Sequence, residues 1–304
     1  MNLLARTSSV LLYLGMSLLV TADPIRAQQD FENVEIETIP VAEGIYMLMG
    51  EGGNIGASVG EDGVFLIDDQ FAPLTDKIQA AVAQLSDRPI RFILNTHWHF
   101  DHTGGNENFG EAGVVIIAHD NVRERMSVDQ FIDAFEMEIP ASPPAALPII
   151  TFNDTVTFHL NGNTVRTFHV ESAHTDGDSI VHFQEADAMH VGDIYFNGFY
   201  PFIDLSSGGS IDGTIAAVDE ILTMVGDRTQ IIPGHGPLSN RAELIAYRDM
   251  LVTVRDRVSE AIAAGMSVDE FIASNPTADL DEVWGNGFLS PEQFLRIVYE
   301  DLSQ

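Results

Sequence analysis

The segment NTHWHFDHTGG, residues 95–105, constrains this chain more than any other stretch of its sequence. It places His97, His99, Asp101 and His102 within six positions, directly after a predicted buried strand. The segment is too short to form a helix of its own, so we expect an extended or turning path. In an extended path alternate side chains point the same way, and His97 and His99 can therefore share one metal ion. Asp101 and His102 lie past a turn and can reach a second ion, so the pattern indicates two adjacent ions.

Three further candidate ligands lie downstream, and each is near the end of a predicted strand. They are His174 after the strand at 163–170, Asp193 after the strand at 188–192, and His235 at the end of the strand at 229–235. If these strands deliver their carboxyl ends to one edge, the three side chains converge on the cluster at residues 97–102.

The predicted elements alternate in a way that favours one fold class. Two series of strands are each followed by helices, which is typical of sheets packed face to face with helices outside. The strands are predicted within 43–71 and at 90–94, 114–118, 155–160, 163–170, 179–184, 188–192 and 229–235, and the helices at 75–85, 121–135, 211–226, 241–264, 267–274 and 290–302. Residues 138–149 contain four prolines and are expected to run as an extended surface loop. The expectation is an α+β fold, an αβ/βα sandwich of two mixed β-sheets with helices on the outer faces.

The motifs H-x-H-x-D-H, a distant histidine, G-D after a strand, and P-G-H-G occur in this order between residues 44 and 250. Together they resemble the metallo-β-lactamase superfamily. The resemblance implies a first metal site of three histidines, a second site of one aspartate and two histidines, and a carboxylate that bridges both. By position these residues are His97, His99 and His174, then Asp101, His102 and His235, and finally Asp193. Asp68, which ends the strand GVFLIDDQ, fits the acidic residue beneath the metal loop of the family.

The resemblance also implies the chemistry of the site. Asp193 occupies a position that is cysteine in one large group of β-lactamases, and this chain contains no cysteine. An all-nitrogen-and-oxygen site suits zinc, and we expect two Zn²⁺ per chain, with iron or manganese as alternatives. Two ions roughly 3.5–4 Å apart hold a bridging hydroxide that attacks a carbonyl carbon. Asp101 is the candidate catalytic residue, because its carboxylate can orient that hydroxide.

The substrate is less constrained than the metal site. Members of the superfamily hydrolyse β-lactams, lactones, thioesters, sulfate esters and phosphodiesters. Several β-lactamases place a lysine three residues after the cysteine, where this chain has Phe196, and its only lysine, Lys77, lies on a predicted helix elsewhere. Phe199 and Tyr200 continue an aromatic stretch, and with Phe196 and Trp98 they either line a substrate pocket or pack a long loop onto the sandwich.

Our main hypothesis is an exported di-zinc hydrolase that opens a cyclic amide or ester, with β-lactams as a main or a side substrate. The alternative is a lactonase or a thioesterase similar to glyoxalase II. Two further hypotheses belong to other functional classes: a di-iron redox protein on the same fold, and a metal-binding protein without catalytic activity.

The amino-terminal residues and the net charge bear on location and partners. Residues 1–27 have the pattern of a signal peptide, with cleavage after Ala22 or Ala27. Residues 28–304 are then one domain with a helical extension from about residue 265, located in the periplasm or secreted. The net charge of −32 argues against nucleic-acid partners, because such a surface repels polyphosphates. We expect a small-molecule substrate and no stable membrane insertion after signal removal, while the oligomeric state is not predicted.

Overall fold

The structure is a computed structural model and describes residues 31–304. The signal peptide predicted at 1–27 lies outside the described residues. Fifteen strands are present between residues 31 and 304. They are β1 (Glu37–Ala42), β2 (Ile45–Met49), β3 (Ile55–Gly60), β4 (Gly63–Ile67), β5 (Ile90–Leu94), β6 (Val115–His119), β7 (Gln130–Ile132), β8 (Met137–Ile139), β9 (Ile150–Phe152), β10 (Thr155–Leu160), β11 (Asn163–His169), β12 (Ser179–Phe183), β13 (Ala188–His190), β14 (Gln230–Ile232) and β15 (Ser239–Asn240).

Nine α-helices connect and cover these strands in the described part of the chain. They are α1 (Thr75–Leu85), α2 (Phe100–Thr103), α3 (Asn106–Glu111), α4 (Asp120–Met126), α5 (Ile211–Met224), α6 (Arg241–Ala263), α7 (Val268–Ala273), α8 (Asp281–Trp284) and α9 (Pro291–Leu302). Side-chain caps explain where several of them begin. Ser267 and Ser290 form capping boxes at α7 and α9, and Asn240 accepts backbone N–H bonds at the start of α6.

The first sheet contains seven strands in the spatial order β1-β2-β3-β4-β5-β6-β9. Strands β1 to β4 pair antiparallel, whereas β4, β5, β6 and β9 pair in parallel. Parallel neighbours need crossover connections, and α1 to α4 lie within these connections. The carboxyl ends of β4 and β5 therefore reach the same edge of the sheet.

The second sheet contains six strands in the order β10-β11-β12-β13-β14-β15. Strands β13 and β14 pair in parallel, and the other neighbours pair antiparallel. Strand β11 is separated from β13 by one antiparallel strand, so β11, β13 and β14 all point the same way. Their carboxyl ends lie at one edge, as the sequence analysis required.

The two sheets face each other across an apolar layer. Side chains from the first sheet, such as Phe65 and Leu94, pack there with Val181 and Phe183 from the second. Helix α1 covers the outer face of the first sheet, while α5, α6 and α9 cover the outer face of the second. The predicted αβ/βα sandwich of two mixed sheets is confirmed.

Residues 121–135 depart from the prediction. Instead of one helix, α4 ends at Met126, and the chain reverses through the β7–β8 hairpin. The side-chain amide of Gln130 donates to the carbonyl of Arg125 at 3.0 Å and closes the end of the helix. Phe131 then pairs with Glu138 across the hairpin. Apolar spacing alone did not reveal this hairpin, because the residues that follow Met126 fit a helical spacing as well.

Two shorter segments also differ from expectation. Residues 100–103 form the one-turn helix α2 where no helix was expected. The proline-rich stretch 138–149 contains the end of β8 and a 3-10 turn at Pro144–Ala146, of which Ala146 is buried. Among the described residues, no helix is both long and apolar enough to span a bilayer.

Candidate metal centre

All seven predicted ligands meet at the strand ends that the two sheets share. Their donor atoms form two groups, and within each group these atoms lie within 4.8 Å of one another. One group is His97, His99, His174 and Asp193, and the other is Asp101, His102 and His235. Asp193 also faces the second group, with Oδ1 3.0 Å from His102 Nε2 and Oδ2 3.4 Å from His235 Nε2. The structure thus brings together every residue of the set, and their role as ligands stays a prediction.

Asp68 shapes the loop that carries four of these residues. It is fully buried and has a positive φ of 66°, a conformation that a non-glycine residue rarely adopts. Its Oδ1 accepts the backbone N–H of Thr96 at 2.7 Å, and its Oδ2 lies 2.8 Å from both Thr96 Oγ1 and His102 Nδ1. Asp68 therefore lies beneath the loop, where the sequence analysis placed it.

In His97, His99 and His174, the ring nitrogen that does not face the centre has a partner. His99 Nε2 lies 3.0 Å from the Asp204 carboxylate, His174 Nδ1 lies 2.8 Å from the Phe202 carbonyl, and His97 Nδ1 lies 3.0 Å from Thr96 Oγ1. Carbonyls and carboxylates only accept, so His99 and His174 donate there. His99 Nδ1 and His174 Nε2 are then left with lone pairs, 2.9 Å apart. Such outer partners fix the tautomer and the ring orientation of metal-binding histidines.

One buried nitrogen tests whether a cation fits here. His97 Nε2 is buried and has no hydrogen-bond partner among the described residues. It lies 3.8 Å from Asp193 Oδ2, beside the facing lone pairs of His99 and His174. An unpaired buried nitrogen costs about 1–3 kcal/mol, and a bound cation removes this cost. The residues present therefore fit a metal ion.

The electrostatics differ between the two groups. Burial, together with the neighbouring histidines, holds the pKa of His97 well below its usual range, and burial lowers that of His174 to about 4. Burial also lowers the pKa of His235, but the attraction of Asp193 and Asp101 outweighs it and raises the value to about 9. Neutral imidazole is the form that binds metal, and His97 and His174 are held in that form. The side chains of Asp101 and His235 are 22% and 23% exposed, so the second group opens to solvent.

Asn54 is a site residue that the sequence analysis missed. Its buried side-chain amide donates to the carbonyl of Pro233 at 3.0 Å and to that of Gly236 at 2.8 Å, and thus holds the turn on both sides of His235. The preceding Gly53 approaches His102 so closely that a Cβ there would lie 2.0 Å from the ring. The turn GEGGN, residues 50–54, offered the only sequence signal, since adjacent glycines indicate close backbone approach.

Asp204 was also missed, although it contacts the centre directly. This buried carboxylate accepts from Ser206, Ser207 and His99. Burial raises its pKa, but the hydrogen bonds and the attraction of His99 outweigh burial and hold the pKa well below its usual range. Trp98 donates its indole N–H to Ser207 Oγ at 3.1 Å, so the same network anchors the metal loop.

Asp178 is a third missed residue, and it holds the segment that carries His174. It accepts hydrogen bonds from the backbone N–H groups of His174 and Thr175 and from Thr175 Oγ1. Burial raises the pKa of Asp178 to about 7, although these three hydrogen bonds act to lower it.

The four candidate pocket residues occupy different places. Trp98 and Phe196 are buried, and the Phe196 ring stacks on His235 with centroids 5.0 Å apart. Tyr200 stacks on Phe294 and donates to Asp281, so it joins the loop to the carboxyl-terminal helices. Phe199 is partly buried and packs against Gly287. Tyr200 therefore packs the long loop onto the rest of the fold. That Trp98, Phe196 and Phe199 line a substrate pocket stays a prediction.

Comparison with known proteins agrees with the fold and with the order of the motifs. The family model of the metallo-beta-lactamase superfamily matches residues 50–235. This match covers more than half of the chain, and the chain therefore belongs to the metallo-β-lactamase superfamily. By this membership the chain is a hydrolase of that superfamily.

Among curated relatives, a hydroxyacylglutathione hydrolase of Polaromonas sp. (strain JS666) is 27% identical over 184 residues, which cover 58% of this chain and 60% of that protein. The chain thus spans about three fifths of the length of this relative. Two solved structures share the fold. The DIM-1 metallo-beta-lactamase has a TM-score of 0.58 and 17% identity over 72% of this chain and 99% of that one. The sec-alkylsulfatase Pisa1 from Pseudomonas sp. has a TM-score of 0.64 and 18% identity over 87% of this chain and 50% of that one.

Proposed function

We propose that this chain is an exported di-zinc hydrolase that cleaves a carboxylic ester, thioester or lactone. The observation that carries the proposal is the pair of donor groups that both contact Asp193. In the first group, His97 Nε2 is buried and has no hydrogen-bond partner among the described residues. Export rests on the amino-terminal sequence pattern alone.

The donor set supports zinc. Five imidazoles and two carboxylates offer only nitrogen and oxygen, and imidazole-rich sites suit Zn²⁺. His97, His99 and His174 would hold one ion, Asp101, His102 and His235 the other, and Asp193 would contact both. When bound, zinc supplies Lewis acidity for a carbonyl oxygen and lowers the pKa of water towards neutrality.

Asp101 is the residue that we assign to proton handling. It lies at the opening of the site, with Oδ2 3.3 Å from His235 Nε2. Burial raises its pKa, but His102 and His235 outweigh burial and lower it to about 2, so the carboxylate is ionised at neutral pH. An ionised Asp101 accepts a hydrogen bond from a water molecule at the opening, orients it and takes up its proton.

The relatives guide the choice of the scissile bond. Curated relatives from three organisms carry the name hydroxyacylglutathione hydrolase, which supports an acyl ester or thioester substrate. The β-lactamase neighbours support the fold, because their identity to this chain is 16–17%. For this reason an ester or thioester now ranks before a β-lactam.

The test combines metal analysis with initial rates on a thioester, a lactone and a chromogenic β-lactam. We expect two zinc ions per chain, loss of turnover in chelator, recovery with zinc, and the highest kcat/KM for the thioester or the lactone. A higher kcat/KM for the β-lactam would overturn the proposed substrate class. Iron in place of zinc, or zinc without turnover of any of the three substrates, would contradict the proposal itself.

A further inference from the structure

A row of three phenylalanines leads from the ligand histidines to the surface. We call Phe202, Phe135 and Phe288 the aromatic row. The Phe202 ring stacks on His99, with centroids 5.8 Å apart, and lies 5.7 Å from the His174 ring. Phe135 packs on Phe202 at 4.7 Å, and Phe288 packs on Phe135 at 5.3 Å. Exposure rises along the row, from 6% for Phe202 to 70% for Phe288.

Three separate segments build the aromatic row. Phe135 lies in the connection of the β7–β8 hairpin, Phe202 in the loop after Asp193, and Phe288 between α8 and α9. The loop with Phe288 is fixed to the loop after Asp193, because Tyr200 N donates to the Trp284 carbonyl at 2.8 Å. A Cβ on Gly287 would lie 2.2 Å from Phe199 Cβ, so these two loops are in direct contact. The row is therefore held in place by tertiary contacts.

A cavity of about 270 Å³ with both apolar and polar lining residues lies beside the row. Phe135 borders it, and its other apolar lining residues are Ala134, Ile203, Leu205, Leu289 and Ile297. Asp204 also lines the cavity, and this carboxylate lies 3.0 Å from His99 Nε2. The cavity thus adjoins the loop that holds the first group of ligands.

The charges around the cavity disfavour an anionic occupant. Arg296 lines the cavity, and its guanidinium is paired with Glu292 and Asp269. Asp133 and Glu300 add two carboxylates to the lining. With a net charge of −32 on the chain, an anion approaching this face meets repulsion.

We propose that the aromatic row and its cavity bind the apolar acyl or aryl group of an uncharged substrate. The inference rests on the proposed function and narrows its substrate class. Phe288 is 70% exposed and packs on the partly buried Phe135, and an apolar group that covers this surface gains roughly 25 cal/mol per Å². The occupant is a substrate group, because the row begins at the rings of two predicted ligands.

A homologous series of p-nitrophenyl esters with acyl chains of increasing length tests the inference on zinc-loaded protein. We expect kcat/KM to rise about two- to fourfold with each added CH₂ group until the row is covered. Phe288→Ala and Phe135→Ala should flatten this dependence, so that kcat/KM changes less than about twofold with each added CH₂ group. Ile149→Ala is the matched control, since Ile149 is also 70% exposed but lies outside the row, and it should keep the wild-type dependence.

A binding series separates failure of the inference from failure of the proposed function. Alkyl hydroxamates of increasing length, titrated into zinc-loaded protein, should bind more tightly as the chain grows, and Phe288→Ala should remove this trend. Turnover without a chain-length trend, or a trend unchanged in both variants, would overturn the inference and leave the hydrolase standing. If no ester is hydrolysed, the proposed function fails. The hydroxamate affinities then decide alone, and equal affinity for short and long chains overturns the inference.

Discussion

At the scale of single residues, four of the five histidines of the centre have their second ring nitrogen already engaged. Asp68, Asp204 and the Phe202 carbonyl each accept from one ring and leave its other nitrogen facing the centre. A ring held at one nitrogen loses little further freedom when the other binds a metal. The precise set of ligand atoms thus follows from residues that are themselves not ligands.

Asp101 is the residue for which activity and folding separate most clearly. Asp101→Asn keeps the shape of the side chain but removes its proton-accepting charge. We expect kcat to fall at least 100-fold, in line with the range for general bases. Initial rates on the best substrate, with zinc content measured in the same samples, provide the check. Asp87→Asn, at a fully exposed carboxylate, is the control and should keep wild-type rates. An Asp101→Asn enzyme within tenfold of wild type would remove Asp101 from the reaction.

Asn54 offers a residue-scale test of how His235 is positioned. Asn54→Ala leaves the carbonyls of Pro233 and Gly236 without their donor, so the turn around His235 loosens. We expect affinity for the second zinc to fall about 10- to 100-fold and affinity for the first to stay unchanged. Titration against a chromophoric chelator measures both affinities.

Asn161→Ala is the matched control for Asn54→Ala. Asn161 Nδ2 also donates to two backbone carbonyls, those of Ser58 and Gly63, which lie by the β3–β4 turn rather than beside the centre. This control should lower the Tm without changing either zinc affinity. Equal loss of both zinc ions in Asn54→Ala would show that Asn54 stabilises the fold in general.

At the scale of elements, the site exists because strands of two sheets end at one edge. His119 at the end of β6 and His169 at the end of β11 mark the same junction, with stacked rings 3.8 Å apart. Burial and the neighbouring His169 lower the pKa of His119, while Asp120 and Asp176 oppose the shift. The two sheets are therefore joined at this point by a contact that protonation weakens.

We expect the folded chain to lose stability in acid, because protonation weakens this contact. Because the pKa of His119 is lower in the folded than in the unfolded chain, its contribution to stability is present above about pH 6.5 and is lost as the pH falls below that value. We expect the Tm to fall between pH 7 and pH 5, and His169→Gln to reduce this fall. Thermal melts at both pH values measure it. His159→Gln is the control and should keep the wild-type pH dependence, since His159 is exposed on β10. An identical pH dependence in His169→Gln and wild type would contradict the prediction.

At the scale of the whole molecule, charge is the dominant feature. The chain carries 46 acidic and 14 basic residues. The described salt bridges that join Arg248, Arg255, Arg257 and Arg296 to aspartates each have an aspartate that is at least 47% exposed. Such exposed pairs contribute little to stability, so they do not offset the repulsion among unpaired carboxylates.

Salt should therefore stabilise the folded chain. Raising NaCl from about 0.01 to 0.5 M shortens the screening length from roughly 30 Å to below 8 Å and weakens the self-repulsion. We expect the Tm of the zinc-loaded protein to rise by a few degrees. Scanning calorimetry across this range measures the change. A flat or falling Tm would mean that local ion pairs outweigh the net charge.

The sequence by itself determined which seven residues were candidate ligands, and it predicted most elements. His97, His99, Asp101 and His102 were recognisable because they are close in the chain, and His174, Asp193 and His235 because each follows a strand. Helices α1, α5, α6, α7 and α9 were predicted to within about two residues because their apolar spacing is local. The same spacing failed at the β7–β8 hairpin, where a helix and a hairpin satisfy it equally.

Only the tertiary structure decided which side chains support the candidate metal centre and which form the aromatic row. Asn54 acts on a turn 179 residues away, Asp204 acts on a histidine 105 residues away, and Phe135 and Phe288 meet from two separate loops. Such contacts produce no periodic pattern in the sequence, because each depends on how the two sheets and their loops pack rather than on local spacing. Packing in three dimensions therefore decided what surrounds the seven residues that the motifs had already marked.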